Sequence, residues 1–233
     1  MCGRYVVPNT TDELLSLFDA SHANAADWQP SYSVAPTDPA PIVREWIHDE
    51  TLNRDVDLAS WGLKPGWAKP GGPAPINARL ESVASNGMFR SAFASQRCLV
   101  PMAGYYEWQR MDDGKQPYFI HSDGDVLAAA GLYAARQEDD VWKISFTIIT
   151  RAARDASGAI HDRMPVFLTP DVWGQWLSPE KISDTEEALS MLDRSSVAVA
   201  KTVTAHPVAR KVNNVRTLDS EDERLIEKIT LAL

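Results

Sequence analysis

Short β-type runs dominate the chain from about residue 40 to 150, and stretches with helical spacing frame them. Thr10–Thr11–Asp12–Glu13 has the form of a helix start, with Leu14, Leu15, Leu17 and Phe18 following on one face. Trp28 to Pro41 carries prolines at 30, 36, 39 and 41 and reads as extended loop. Ala40–Ile47 and Val56–Trp61 read as strands. So do Cys98–Pro101, Pro117–His121, Val126–Leu132 and Trp142–Thr150, by their β-branched and aromatic content. Ala78–Ala94 is expected to be helical in part, and Thr169–Leu177 and Ser183–Leu192 are expected to be helices. Val197–Val203 follows as a strand and Ser220–Leu231 as an amphipathic terminal helix. The strands come in groups without regular βα alternation. This predicts an α+β fold, a single domain with a mixed, strongly bent, barrel-like β-sheet flanked by helices, and not a Rossmann-type sheet.

Composition narrows the class. A chain of 233 residues suits one domain, here taken as residues 2–233. Its two cysteines, Cys2 and Cys98, are expected to be free thiols, which fits a reducing, cytoplasmic setting. The opening MCGRYVVPNT lacks the pattern of a secretory leader, and no stretch approaches a membrane span. The run 64–75, KPGWAKPGGPAP, has a linker's composition, yet the embedded Trp67 makes an ordered surface loop the better expectation.

Charge excludes a protein that coats nucleic acid indiscriminately: the formal net charge is −9. DNA binding would need a local basic cleft on an acidic body. The acid gathers in Asp184–Asp193 and Asp219–Glu227, both read as solvated helical faces. Histidines 22, 48, 121, 161 and 206 show no metal-ligand spacing, and no nucleotide-binding glycine pattern occurs, so neither metal nor cofactor is expected.

Chemistry concentrates in a few places. Removal of Met1 would leave Cys2 with an α-amine and a thiol on adjacent carbons. An α-amine titrates at about 7.7–8.0, so part of it is nucleophilic at neutral pH. Such an amine condenses with an aldehyde to an imine, and the adjacent thiol can close a thiazolidine. By itself Cys2 also suits an incidental residue at a frayed end. Glu107, in Gly104–Trp108 (GYYEW), stands among aromatics near a strand end, where a carboxyl suited to proton transfer or a rim glutamate paired with arginine are both open. His161, in Ile160–Pro165 (IHDRMP), lies where a loop enters a strand; a proton shuttle and a buried, carbonyl-bound histidine are equally open. Asn77 and Arg79 offer an amide and a phosphate-binding fork. Lys64, Trp67 and Lys69 interleave charge with a flat ring, as a single-strand groove requires. Cys98 reads as a buried strand residue without chemistry.

Taken together, MCGRY, SVAPT at 33–37, WGL and PGW at 61–67, INARLES at 76–82, RCLVP and GYYEW at 97–108, IHDRMPVFL at 160–168 and the HPV and VNN segments at 206–214 resemble the SRAP (SOS response-associated peptidase) family in order and over nearly the whole chain. The resemblance implies a sensor of abasic sites in single-stranded DNA, a monomer of one α+β domain that cross-links itself through an N-terminal Cys thiazolidine. Carried over by position, Cys2 is the nucleophile, with Asn77, Glu107 and His161 as catalytic companions. Arg4, Pro36, Trp67, Arg79 and Thr150 become strand contacts. The segment Pro101–Gly104 departs from the family at Ala103, where an acidic residue is usual. A cysteine-dependent peptidase or amidase using Cys2 and His161 is the alternative.

Overall fold

The computed structural model describes residues 2–231 except 70, 124, 125, 139 and 155, and it leaves out the side chain of residue 157. The chain opens with β1 (Tyr5–Val7) and α1 (Thr11–Phe18). Thr10 caps α1 reciprocally: its hydroxyl accepts from the Glu13 N–H while the Glu13 carboxylate accepts from the Thr10 N–H at 2.7 Å. Next come β2 (His22–Asn24), β3 (Ser31–Val34), β4 (Pro39–His48), β5 (Thr51–Trp61), β6 (Asn77–Arg79) and α2 (Arg90–Ser95). The central strands are β7 (Arg97–Met102), β8 (Gly104–Met111), β9 (Gly114–Ser122), β10 (Leu127–Glu138) and β11 (Val141–Ala152). The chain finishes with β12 (Arg163–Pro165), α3 (Pro170–Leu177), α4 (Thr185–Ala200) and β13 (Val203–Pro207).

Five strands form a barrel in the order β11-β10-β7-β4-β5, closed where β5 returns to β11 through the parallel pairs Ser60–Ser145 and Trp61–Phe146. Trp61 fills the seam. Its ring stacks on Phe146 at 6.3 Å, receives the edge of Tyr5 at 5.0 Å, and donates its indole N–H to the Ile76 carbonyl at 2.9 Å. A second sheet, β13-β9-β8-β1-β3, lies beside the barrel and carries a smaller core of Val6, Tyr106, Phe119, Val208, Val212 and Leu225. Its register demands Gly104: a Cβ there would sit 2.5 Å from the Ile120 carbonyl oxygen and 2.6 Å from the Phe119 ring. Arg97, at the start of β7, donates to the carbonyls of Phe93, Ala94, Trp176, Ser178 and Glu180, so one buried guanidinium ties the ends of α2 and α3 to the barrel.

The α+β barrel expected from the sequence is the fold observed, with local differences. The stretch 28–41 holds β3 and the start of β4, because Pro30 and Pro36 flank β3 while Pro39 and Pro41 lie at the beginning of β4, ahead of its pairing with β7 at Val43 and Arg44. The partly helical 78–94 reduces to turns before α2, and Arg79 ends β6. Glu107 lies within β8 and not at its end. The expected strand at 197–203 is mostly the tail of α4, where packing overrides the β-branched valines, and β13 starts at Val203. The expected terminal helix is a single 3₁₀ turn, Glu223–Ile226, which buries Leu225 in the smaller core. The 219–227 acids therefore stand on irregular backbone. No described helix is long and apolar enough to cross a membrane.

Candidate active site

The site is built where the two sheets meet. The second sheet supplies Cys2, Arg4 and Glu107: β1 runs antiparallel to β8, Tyr5 opposite Tyr105, so the chain before β1 passes along Glu107. The barrel supplies Asn77, Arg79, Thr150 and His161. Strand β6 lies parallel to β11, Asn77 beside Ile148 and Arg79 beside Thr150, and β12 flanks β11 on its other edge.

One hydrogen bond joins the halves. Asn77 Nδ2 donates to the Cys2 carbonyl at 2.8 Å, while Asn77 Oδ1 is buried with no hydrogen-bond partner among the described residues. That leaves an acceptor available for a hydroxyl arriving in the site. Cys2 is wholly buried, and burial, followed by the negative charge of Glu107, pushes its thiol well above the ordinary range. Glu107 is 2% exposed. Burial raises its pKa above the usual carboxylate value, and a positive charge on His161 draws it back, which sets these two side chains within electrostatic reach. His161 Nδ1 accepts the Arg163 N–H at 3.0 Å and also lies 3.0 Å from Asp162 Oδ1.

The expected strand contacts separate into kinds. Arg79 and Pro36 are exposed, and Trp67 is 62% exposed. Thr150 is wholly buried; its carbonyl accepts the Leu80 N–H at 2.8 Å and an Arg163 N–H at 2.7 Å. Arg4 is 6% exposed, donates to Ser33 Oγ at 3.0 Å and the Val212 carbonyl at 3.3 Å, and lies over the Trp108 ring. Trp67 lines a small recess with Met88, Gln96 and Ala134, to which neither Cys2 nor Asn77 contributes. Cys98 is buried on β7, as expected, and both cysteines are free thiols.

Sequence reading passed over Glu81 and Arg163, which form a two-pronged pair at 2.7 and 3.0 Å beside His161. The available signal was their opposite charge in the two densest motifs.

The SOS response associated peptidase (SRAP) family model matches residues 1–215. The chain belongs to the SRAP family. Among curated relatives of this SRAP chain is the Abasic site processing protein YoaM of Bacillus subtilis, 34% identical, covering 95% of this chain and 99% of the relative. The Abasic site processing protein YedK of Escherichia coli is 32% identical over 95% and 98%. In solved structures, the SRAP chain shares its fold with a Bacteroides thetaiotaomicron protein, TM-score 0.80 at 20% identity, covering 98% and 100%. A phage-related protein from Bordetella bronchiseptica matches at 27% identity and TM-score 0.69, over 90% and 95%.

Proposed function

We propose that this chain senses abasic sites in single-stranded DNA and traps them covalently through Cys2, acting as a soluble cytoplasmic monomer that joins the nucleoid when it engages damage. The observation that carries the reading is the convergence on Cys2: Asn77 holds its carbonyl, and the buried carboxyl of Glu107 lies within electrostatic reach of its thiol. The names of YoaM and YedK point the same way.

Met1, outside the described residues, must be removed for the chemistry to start. His161 moves the proton that opens the deoxyribose ring to its aldehyde. The Cys2 amine attacks C1′, forming the C–N bond. Glu107, its pKa raised by burial, protonates the departing hydroxyl, and water leaves an imine. The thiol sulfur then adds to C1′ while its proton passes to the nitrogen, closing the thiazolidine. Asn77 orients the open sugar. Exposed Arg79, Trp67 and Pro36 face the strand, Arg79 placing positive charge where the acidic body repels DNA, while buried Arg4 and Thr150 hold the wall from behind.

Amide hydrolysis by Cys2 and His161 is less well supported. It requires a thiolate, and both burial and the Glu107 charge oppose one. Thiazolidine closure consumes the thiol with its proton.

The test is intact mass after incubation with a single-stranded oligonucleotide carrying one abasic site. Wild type is expected to lack Met1 and give a heat-stable adduct. Cys2→Ala, and a chain with a residue inserted before Cys2, are expected to give none. A stable adduct from the blocked N-terminus would overturn the mechanism.

A further inference from the structure

We infer that Glu81 is a positioning residue for His161, acting through Arg163; this rests on the reading of His161 as the proton carrier. The two motifs concerned lie 82 residues apart and meet in one contact. Arg163 Nη1 and Nη2 donate to the two Glu81 oxygens at 2.7 and 3.0 Å, and Nη2 also donates to the Thr150 carbonyl at 2.7 Å. That carbonyl simultaneously accepts the Leu80 N–H at 2.8 Å. The residues leaving β6 and the residues entering β12 therefore share one acceptor on β11.

Glu81 is 55% exposed, and an ordinary ion pair at that exposure contributes little. This one differs because the Arg163 side chain is only 11% exposed and the pairing is two-pronged, which fixes the guanidinium in orientation as well as distance. Arg163 holds the Glu81 carboxyl below its usual range, chiefly through those hydrogen bonds.

The clamped residue is also the one that orients the imidazole. The Arg163 backbone N–H donates to His161 Nδ1 at 3.0 Å. With that lone pair engaged, a neutral imidazole must carry its proton on Nε2. A competing arrangement stands beside it: Asp162 Oδ1 is 3.0 Å from the same Nδ1 and would accept from it if it bore the proton. Asp162 is 87% exposed, so water weakens its pull. Which arrangement prevails depends on keeping the 163 N–H where it is, and the Glu81–Arg163–Thr150 contacts do that. Glu81 thereby selects the tautomer that presents a proton from Nε2.

The test uses the full chain with ¹⁵N-labelled histidine, reading the His161 tautomer by long-range ¹H–¹⁵N correlation and assigning it with His161→Gln. Wild type is expected to show the Nε2–H form. Glu81→Ala is expected to populate Nδ1–H, and Glu81→Gln, which keeps one acceptor, to fall between. Cross-linking by Glu81→Ala is expected to slow roughly tenfold, part of the 10²–10⁴ typical of general acid–base help. Wild type in the Nδ1–H form, or a folded Glu81→Ala with the wild-type tautomer, would overturn the inference. If Glu81→Ala does not fold, Glu81→Gln decides by the same signal. Should the tautomer move while no variant cross-links DNA, the positioning role stands and the functional reading falls.

Discussion

Thr37 donates its backbone N–H to the Trp61 carbonyl at 2.9 Å while holding φ at +79°, a left-handed conformation that a β-branched side chain resists. The turn Ala35–Asp38, closed by the Asp38 N–H on the Ala35 carbonyl, thus stores strain beside Arg4 and Tyr5, both of which feel the Asp38 charge. Relief of such strain is worth about 1–3 kcal/mol, against roughly 0.5–1 kcal/mol lost to the greater freedom of unfolded glycine. Thr37→Gly is therefore expected to melt at the same temperature or about 2–4 °C higher, while binding single strands less well because Pro36 is no longer held rigidly. Calorimetry and a strand-binding titration check it; a clear loss of stability would show that the threonine is unstrained.

Glu107 should govern both pH dependence and stability. Its folded pKa lies above the unfolded value, so the fold binds its proton more tightly than the open chain does. Ionisation at neutral pH then costs stability, and the cost fades as pH falls through the folded pKa toward the ordinary carboxylate range. Glu107→Gln is expected to be more stable than wild type near pH 7.5, with the gap closing near pH 4.5. Its cross-linking should drop by about 10²–10⁴-fold. Urea midpoints at the two pH values and adduct rates measure this; a gap that widens in acid would contradict the burial argument.

Arg97 is expected to be the most sensitive charged residue for folding. Its five carbonyl acceptors cannot be met by an ammonium with three protons. Arg97→Lys should lose about 2 kcal/mol or more by denaturant unfolding, and Arg97→Ala about 3–5 kcal/mol. Adduct yield per folded molecule should stay at the wild-type level, since Arg97 lies outside the Cys2 cluster.

The two arginines expected to meet phosphate should behave differently. Arg79→Ala is expected to flatten log K against log salt by about 0.7, one single-strand phosphate contact, with stability within about 0.5 kcal/mol. Arg4→Ala removes buried bonds to Ser33 and Val212 and should cost about 1.5–3 kcal/mol of stability. Salt titrations and melts on both variants separate the roles; equal stability would show that Arg4 is not a structural strut.

What the sequence disclosed followed from how local the signal was. Residues 10–18 announced α1 because capping is written within four residues. The barrel strands announced themselves through their composition. The fate of 197–203 did not, because α4 is fixed by packing of Met191, Leu192 and Ala200 against the barrel, which outweighs two valines. Within the site, Cys2, Asn77, Glu107 and His161 were legible as chemistry-bearing types in dense motifs. Glu81 was not, since a glutamate on an exposed turn looks like any other until its partner is known. The burial of Arg4 was equally hidden: Val212, 208 residues away, holds it.

Closing the barrel through β5 and β11 also sets a clock on biogenesis. Cys2 is synthesised first, but its partner Asn77 comes 75 residues later and His161 later still. At about 5–20 residues per second, roughly ten to thirty seconds separate the emergence of Cys2 from that of His161. Until β11 is made, the β5–β11 seam stays open and β6 has no strand to lie against, so Asn77 is not yet in place. Through that interval a nascent chain already stripped of Met1 would carry an aminothiol with no guard around it, open to any small aldehyde in the cell. A molecule capped in that window would be silent toward DNA.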